Sequence, residues 1–270
     1  MLLKYKNLGK TNEKIASLGI GTWNMDSFDD NIKVIRKSVE LGMNFIDTAE
    51  MYGSGLSEKI VGEAISDIRD QVFIATKVVP SNISYNNLIK AAERSLERLK
   101  IKTIDLYQIH WPSSSIPISE SMKAMEYLVD QGKIRYIGVS NFSVKETNKA
   151  QTALSKYDLV SNQVEYNLLK REIELDLLPY CNKENITVIA YTPLANLDIL
   201  SGERGKIFTT LAEKYNKTPI QTALNWILTK PNVTTIPKTS RLDHLEEIYG
   251  TLDWEISSED IVNIEQMFSI

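Results

Sequence analysis

The chain has 270 residues, 43% of them hydrophobic and 24% charged, close to an average soluble globular protein. Its net charge is −4 with acidic and basic residues interspersed, so no basic stripe marks a nucleic-acid partner. No apolar stretch approaches the roughly 18 residues of a membrane span, and the single cysteine, Cys181, excludes an internal disulfide framework and any multi-cysteine metal site.

The first residues, Met1 to Lys6, hold neither a long apolar region nor a small-residue cleavage site, so a cytoplasmic location is expected. Residues 3–6 and the turn Gly9-Lys10-Thr11-Asn12 read as a β-hairpin able to plug the bottom of a barrel. Apolar, β-branched runs follow at 15–22, 45–49, 72–77, 105–110, 134–139, 159–160, 187–191 and 233–236. Amphipathic helices lie between them. Leu88, Ala92, Ser95, Leu96 and Leu99 recur at helical spacing along one such segment. Ser143 with Glu146 reads as a capping box, and Ser257 with Asp260 opens the last helix. The widest interval between runs holds two helical stretches, near 205–215 and 218–229, joined at Thr218-Pro219, where proline suits a first helical turn.

Eight strands alternating with helices, with no break in composition, predict one domain over 1–270. Its class is α/β, a (β/α)8 TIM barrel with an N-terminal β-hairpin and an extra C-terminal helix. An open doubly wound sheet is the rival. Its dinucleotide fingerprint needs a third glycine, but Asn24 stands in that place after Gly19-Ile20-Gly21. A Tyr-x-x-x-Lys match at Tyr166 and Lys170 has no glycine-rich nucleotide loop beside it and reads as chance.

In a (β/α)8 barrel the site lies at the carboxyl ends of the strands. There the runs end in Asp47, Lys77 and His110, with Tyr52 just beyond Asp47. A phenol titrates near ~10 and an amine near ~10.4, so neither is an efficient donor unaided. A lysine cation favours phenolate and lowers the phenol's pKa, and Asp47 is suited to hold Lys77 charged. Tyr52 then becomes a general acid and His110 a hydrogen-bond donor aiming a carbonyl oxygen. One such group alone is ordinarily structural. Four on three consecutive strand ends are hard to explain as packing, because each buried polar atom demands a partner. Further along, Ser140, Asn141, Gln163 and Tyr191 suit a planar carboxamide ring. Lys238, Thr239, Ser240 and Arg241 open a helix and suit an anion.

The stretches Leu18-Gly19-Ile20-Gly21-Thr22-Trp23, Phe45-Ile46-Asp47-Thr48-Ala49-Glu50-Met51-Tyr52-Gly53, Ala75-Thr76-Lys77, Gln108-Ile109-His110-Trp111-Pro112, Gly138-Val139-Ser140-Asn141-Phe142, Asn162-Gln163-Val164-Glu165-Tyr166-Asn167 and Ile236-Pro237-Lys238 occur in this order. With them the chain resembles the aldo-keto reductase superfamily over essentially its whole length, and most of all its short prokaryotic members. The resemblance implies a barrel that carries NADPH in an extended pose, without metal, and reduces small-molecule carbonyls. It implies Tyr52 as general acid, Lys77 and Asp47 as its tuning pair, and His110 as the group orienting the carbonyl. Ser140, Asn141 and Gln163 would bind the nicotinamide amide and Tyr191 would stack on its ring. Thr192 and Leu194 would lie along the pyrophosphate, with Lys238, Thr239 and Ser240 at the adenosine phosphate. Trp23, Trp111, Tyr52 and His110 would wall the substrate pocket.

The chain departs from the family pattern at the cofactor and at the substrate pocket. Where the family commonly has an arginine for the 2′-phosphate, this chain has His244, so either Arg241 compensates or NADH is also accepted. Glu247 matches the family's adenine-contacting acid, but Ile248 replaces the usual asparagine after it. The sequence also ends at Ile270 without the long tail that caps the pocket in many relatives, and the loop at 111–117 is brief. An open, partly aromatic pocket is expected, with 195–206 as a lid over the cofactor and a monomer as the default state. A non-catalytic NADP(H)-binding sensor remains the alternative, since potassium-channel β subunits resemble the same family.

Overall fold

In the computed structural model, which describes residues 4–25 and 27–268, a hairpin pairs β1 (Tyr5–Asn7) with β2 (Lys14–Ala16) ahead of β3 (Ile20–Gly21). Strands and helices then alternate: α1 (Phe28–Glu40), β4 (Phe45–Asp47), α2 (Leu56–Ala64), β5 (Phe73–Val78), α3 (Tyr85–Leu99) and β6 (Ile104–Ile109). Next come α4 (Ile118–Asp130), β7 (Ile134–Ser140), α5 (Val144–Ala153), β8 (Leu159–Glu165), α6 (Leu177–Glu184) and β9 (Thr187–Tyr191). The last part holds α7 (Gly202–Lys214), α8 (Pro219–Thr229), β10 (Val233–Thr235), α9 (Leu242–Tyr249) and α10 (Ser258–Met267).

Among the described residues, eight parallel strands, β3 to β10, lie side by side in chain order. The two ends of this sheet meet. Gly19 N donates to Thr235 O at 2.8 Å, Thr235 N to Ser17 O at 3.0 Å and Gly21 N to Pro237 O at 2.9 Å. These bonds close the (β/α)8 barrel and leave neither β3 nor β10 as an open edge. The run at 15–22 is therefore not one strand. Ile15 and Ala16 finish the hairpin, and the barrel strand begins only after Ser17, whose N–H returns to Lys4 O. Both halves are apolar and buried, so their pattern alone hides the change of partner. Of the expected first hairpin strand, Leu3 lies outside the described residues.

Side chains alternate across a strand, and β5 shows how that builds the site. Phe73, Ala75 and Lys77 climb one face from the barrel floor to its mouth. Toward the floor Phe45, Phe73, Leu106 and Ile189 pack with Leu8 and Ile15 of the hairpin, which seals the end away from the site. Midway up, Gly138 lets the strands crowd: a β-carbon there would sit 2.4 Å from Ser161 Oγ. Outside the sheet, α3 buries Leu88, Ala92, Ser95, Leu96 and Leu99 as their spacing predicts, each leucine contributing about 1.5–3 kcal/mol of transfer. The boxes Ser143/Glu146 and Thr218/Gln221 form, and Ser257 caps α10. No helix of the described residues is long and apolar enough to cross a membrane.

Candidate active site

At the mouth, Lys77 Nζ donates to Asp47 Oδ1 at 2.6 Å, to the Thr48 carbonyl at 2.8 Å and to Tyr52 Oη at 3.3 Å. An ammonium has three N–H donors, and all three are used. Asp47 Oδ2 accepts from Gln163 Nε2 at 2.8 Å. Both oxygens of Asp47 thus face donors, an arrangement that fits a carboxylate and leaves no place for a proton. Burial lifts the Asp47 pKa above its ordinary value against the pull of Lys77 and Gln163. Burial also works against the Lys77 cation, but Asp47 and Tyr52 more than offset it, and its pKa stands above the ordinary lysine value.

Burial pushes the Tyr52 phenol up as well, by more than the neighbouring ammonium pulls it down. The expected lowering by Lys77 is therefore one contribution and not the net direction. Tyr52 keeps its proton at neutral pH. It stands in a short 3₁₀ turn, Tyr52–Gly55, in which Gly53 (φ 55°), Ser54 (φ 54°) and Gly55 (φ 90°) are all left-handed before α2 begins.

His110 follows β6, stacked on Trp111 with ring centroids 3.8 Å apart and edge-on to Tyr52 at 5.8 Å. Burial, then the Lys77 charge, depresses its pKa to about 2, so the ring is neutral. Its Nδ1 is buried without a partner. A bare acceptor is tolerated better than a bare donor, which assigns the N–H to Nε2. The unfolded chain binds the histidine proton below about 6.5 while the folded chain refuses it until about 2, so stability is lost as pH falls through that window. Urea unfolding at pH 6.5 and pH 5 should show a loss of up to about 2 kcal/mol from this residue. His110→Gln should remove that share of the slope. An unchanged slope would contradict the assignment.

A cavity of about 490 Å³ opens here. Its wall includes Trp23, Asp47, Tyr52, His110, Trp111, Asn141, Gln163 and Tyr191, and it extends along Thr192 and Leu194 to Lys238, Thr239, His244 and Glu247. Asn141 is fixed by its neighbours: Tyr191 Oη donates to its Oδ1 at 2.9 Å and its Nδ2 donates to the His110 carbonyl at 3.0 Å. Lys77 lies behind Tyr52, and the Ser140 hydroxyl is turned to the Gln163 carbonyl at 2.8 Å. Arg241 pairs with Asp243 at 3.0 Å on the exposed surface, and neither it nor Ser240 belongs to the wall. Tyr166 Oη bonds Glu174 and Lys170 pairs with Glu165, so that Tyr-x-x-x-Lys match forms no catalytic pair.

Sequence patterns gave no sign of Met51 and Ile220, both on the wall. Asn196 and Leu197 belong to the expected lid, where a 3₁₀ stretch, Ala195–Leu200, carries left-handed φ at both positions. Asparagine visits such angles readily, but nothing announces the one at Leu197. Thr192, a β-branched residue at φ 47°, is a comparable outlier on the same wall.

Residues 17–268 match the Aldo/keto reductase family. The chain belongs to that family. It is 35% identical over 260 residues to methylglyoxal reductase YeaE of Escherichia coli K12, covering 94% of this chain and 91% of the relative. Glyoxal reductase of Bacillus subtilis 168 is 33% identical over 253 residues, covering 92% and 87%. Among solved aldo-keto reductases, the thermostable Tm1743, in complex with the inhibitor epalrestat, superposes with a TM-score of 0.93 at 38% identity, covering 98% of this chain and 100% of that one. The enzyme of Klebsiella pneumoniae, in complex with NADP and acetate, gives 0.92 at 33%, covering 98% and 95%. Membership makes this aldo-keto reductase an NAD(P)H-dependent oxidoreductase, with carbonyl reduction as the chemistry its relatives support.

Proposed function

We propose that the protein reduces small aldehydes and ketones with NADPH, Tyr52 delivering the proton to the carbonyl oxygen. The contact carrying this reading is Lys77 Nζ at 3.3 Å from Tyr52 Oη, backed by Asp47 at 2.6 Å. Because Lys77 donates to Tyr52 Oη, the phenol's own hydrogen is free to point into the cavity. Neutral His110, with its hydrogen on Nε2, supplies a second donor to the same carbonyl oxygen. As negative charge grows there, the Lys77 cation stabilises the phenolate left behind, which is where its field counts. Asp47 keeps that cation charged and aimed.

The donor set fits a phosphorylated dinucleotide. Ser240 Oγ is buried with no protein partner just ahead of α9, near Lys238, Thr239 and His244, a combination suited to phosphate. At the other end the Asn141 and Gln163 amides stand where a carboxamide finds hydrogen bonds, with the Tyr191 ring beside them. Bound there, NADPH supplies a hydride to the carbonyl carbon. Trp23, Met51, Trp111 and Leu197 give the mouth an apolar rim. That rim suits small α-oxoaldehydes of the kind named for the E. coli and B. subtilis relatives. It also suits aromatic aldehydes.

Steady NADPH oxidation with methylglyoxal, glyoxal and nitrobenzaldehydes tests the reading. Tight cofactor binding with no turnover on any of them would replace it with a cofactor-sensing role. Titration of tryptophan fluorescence, with Trp23 and Trp111 at the mouth, should show NADPH binding more tightly than NADH by no more than about tenfold, or ~1.4 kcal/mol. His244→Arg should widen that ratio. A wild-type ratio on the order of 1,000, or ~4 kcal/mol, would show that His244 costs nothing in discrimination.

A further inference from the structure

Behind the site, on the outer face of the sheet, lies a second buried charge cluster that the proposed chemistry does not use. Glu58, fully buried on α2, accepts from Thr76 Oγ1 at 2.6 Å through Oε1 and from Arg98 Nε at 2.6 Å through Oε2. Thr76 precedes Lys77 on β5, and Arg98 belongs to α3, where its Nη2 also donates to Ser95 Oγ at 3.1 Å. Glu58 stands in the first turn of the helix that begins where the Tyr52 turn ends. The Arg98 side chain also underlies that turn. A β-carbon at Gly55 would fall 2.6 Å from Arg98 Cδ, at a backbone angle, φ 90°, that glycine tolerates and other residues resist. A second tie, Ser57 Oγ to the Thr22 carbonyl at 3.0 Å, pins the same first turn of α2 to the start of the barrel.

The general acid and its lysine reach the mouth by separate routes. Lys77 is carried by a strand, whereas Tyr52 is followed by three consecutive left-handed residues before the helix starts. Such a turn holds one geometry only when its surroundings over-determine it. Glu58 is the side chain that joins both routes: one oxygen grips the residue next to Lys77, and the other grips the arginine packed under Gly55.

We propose that the Glu58–Thr76–Arg98 clamp is a positioning device that sets the separation between Tyr52 Oη and Lys77 Nζ. The proposal rests on Tyr52 being the proton donor, and Glu58 acts through that residue without touching substrate. A purely structural role would be confined to stability, because removing one partner of a buried ion pair leaves the other uncompensated. Replacing both partners with apolar residues of similar size removes that penalty but still deletes the bond to Thr76. The double variant Glu58→Leu/Arg98→Met therefore separates the two roles.

Glu58→Leu alone should unfold at lower temperature than wild type, and the double variant should recover most of that loss. In the double variant kcat should stay at least about tenfold down, given that a 1 Å misplacement near the chemistry can cost about 10²-fold. Its KM for methylglyoxal and its NADPH affinity should be unchanged. Its crystal structure should show Tyr52 Oη beyond hydrogen-bond reach of Lys77 Nζ. Glu58→Gln, which keeps an acceptor for Thr76, should restore much of kcat. A double variant with wild-type kcat, or one whose Oη–Nζ separation remains at 3.3 Å, would overturn the proposal. The structural readout does not depend on turnover, so it stands apart from failure of the Tyr52 reading, which would show as an active Tyr52→Phe variant.

Discussion

Tyr52→Phe is expected to lower kcat by about 10²- to 10⁴-fold, the range supplied by a positioned proton donor. The protein should remain folded. Tyr52 Oη takes its hydrogen bond from Lys77, which keeps its other two acceptors in the variant, and the ring retains its packing against His110. Losing that neutral hydroxyl should shift stability by about 1 kcal/mol. NADPH affinity should hold within about twofold, because an interaction used only in the transition state contributes nothing to ground-state binding. The decisive measurement pairs single-turnover reduction of methylglyoxal with a fluorescence titration of NADPH on the same preparation. Near-wild-type turnover in the phenylalanine variant would transfer the proton-donor role elsewhere. Loss of both turnover and binding would instead make Tyr52 a wall residue whose removal disturbs the cofactor.

The polar strand ends were legible because of how barrels use sequence. Asp47, Lys77 and His110 interrupt apolar runs at the one position where a strand leaves the core for the mouth. Parallel pairing then places them within reach of one another: Asp47 pairs with Ala75, two residues before Lys77, and Lys77 pairs with Gln108, two residues before His110. The spacing of strand and helix carried the eightfold alternation equally well. Less legible was anything set by backbone that side-chain chemistry does not announce. The break at Ser17 leaves Ile15 and Ile20 equally apolar and buried in different sheets. The left-handed positions at Thr192, Asn196 and Leu197 shape the cavity wall without the glycines that normally mark such angles. The net direction of the Tyr52 shift needed the depth of burial, which no spacing of residues reveals. Glu58 escaped for a related reason. On α2 it reads as one polar residue among helical neighbours, and only the packing of α2 on α3 and β5 shows its carboxylate between Thr76 and Arg98.

Lys77→Met should produce the largest combined loss, in both stability and turnover. The substitution removes the donor at 2.6 Å from Asp47 Oδ1 and leaves a fully buried carboxylate with Gln163 as its remaining side-chain donor. Breaking one half of a buried pair typically costs about 3–5 kcal/mol. The loss should depend on pH in a direction that identifies its source. Burial already lifts the Asp47 pKa in the folded protein, and Lys77 is the first of the groups opposing that shift. Without the ammonium the folded-state value rises further above the unfolded one. Between those values the folded chain binds the extra proton, so the contribution of Asp47 to stability is present at low pH and is lost as pH rises through the window. Measured against wild type at each pH, which cancels the His110 titration common to both proteins, urea unfolding of Lys77→Met should therefore show a smaller loss at about pH 5 than at about pH 8, the difference approaching ~1.4 kcal/mol per pH unit where removal of the ammonium adds one bound proton to the folded state. Adding Asp47→Asn should flatten that slope and recover stability, since the amide carries no charge to bury. Turnover should stay low in both variants, because neither restores a cation beside Tyr52. A loss relative to wild type that is the same at both pH values would mean that Asp47 takes up no extra proton when the ammonium is removed, and the claim that Lys77 is what holds Asp47 ionised would have to be abandoned.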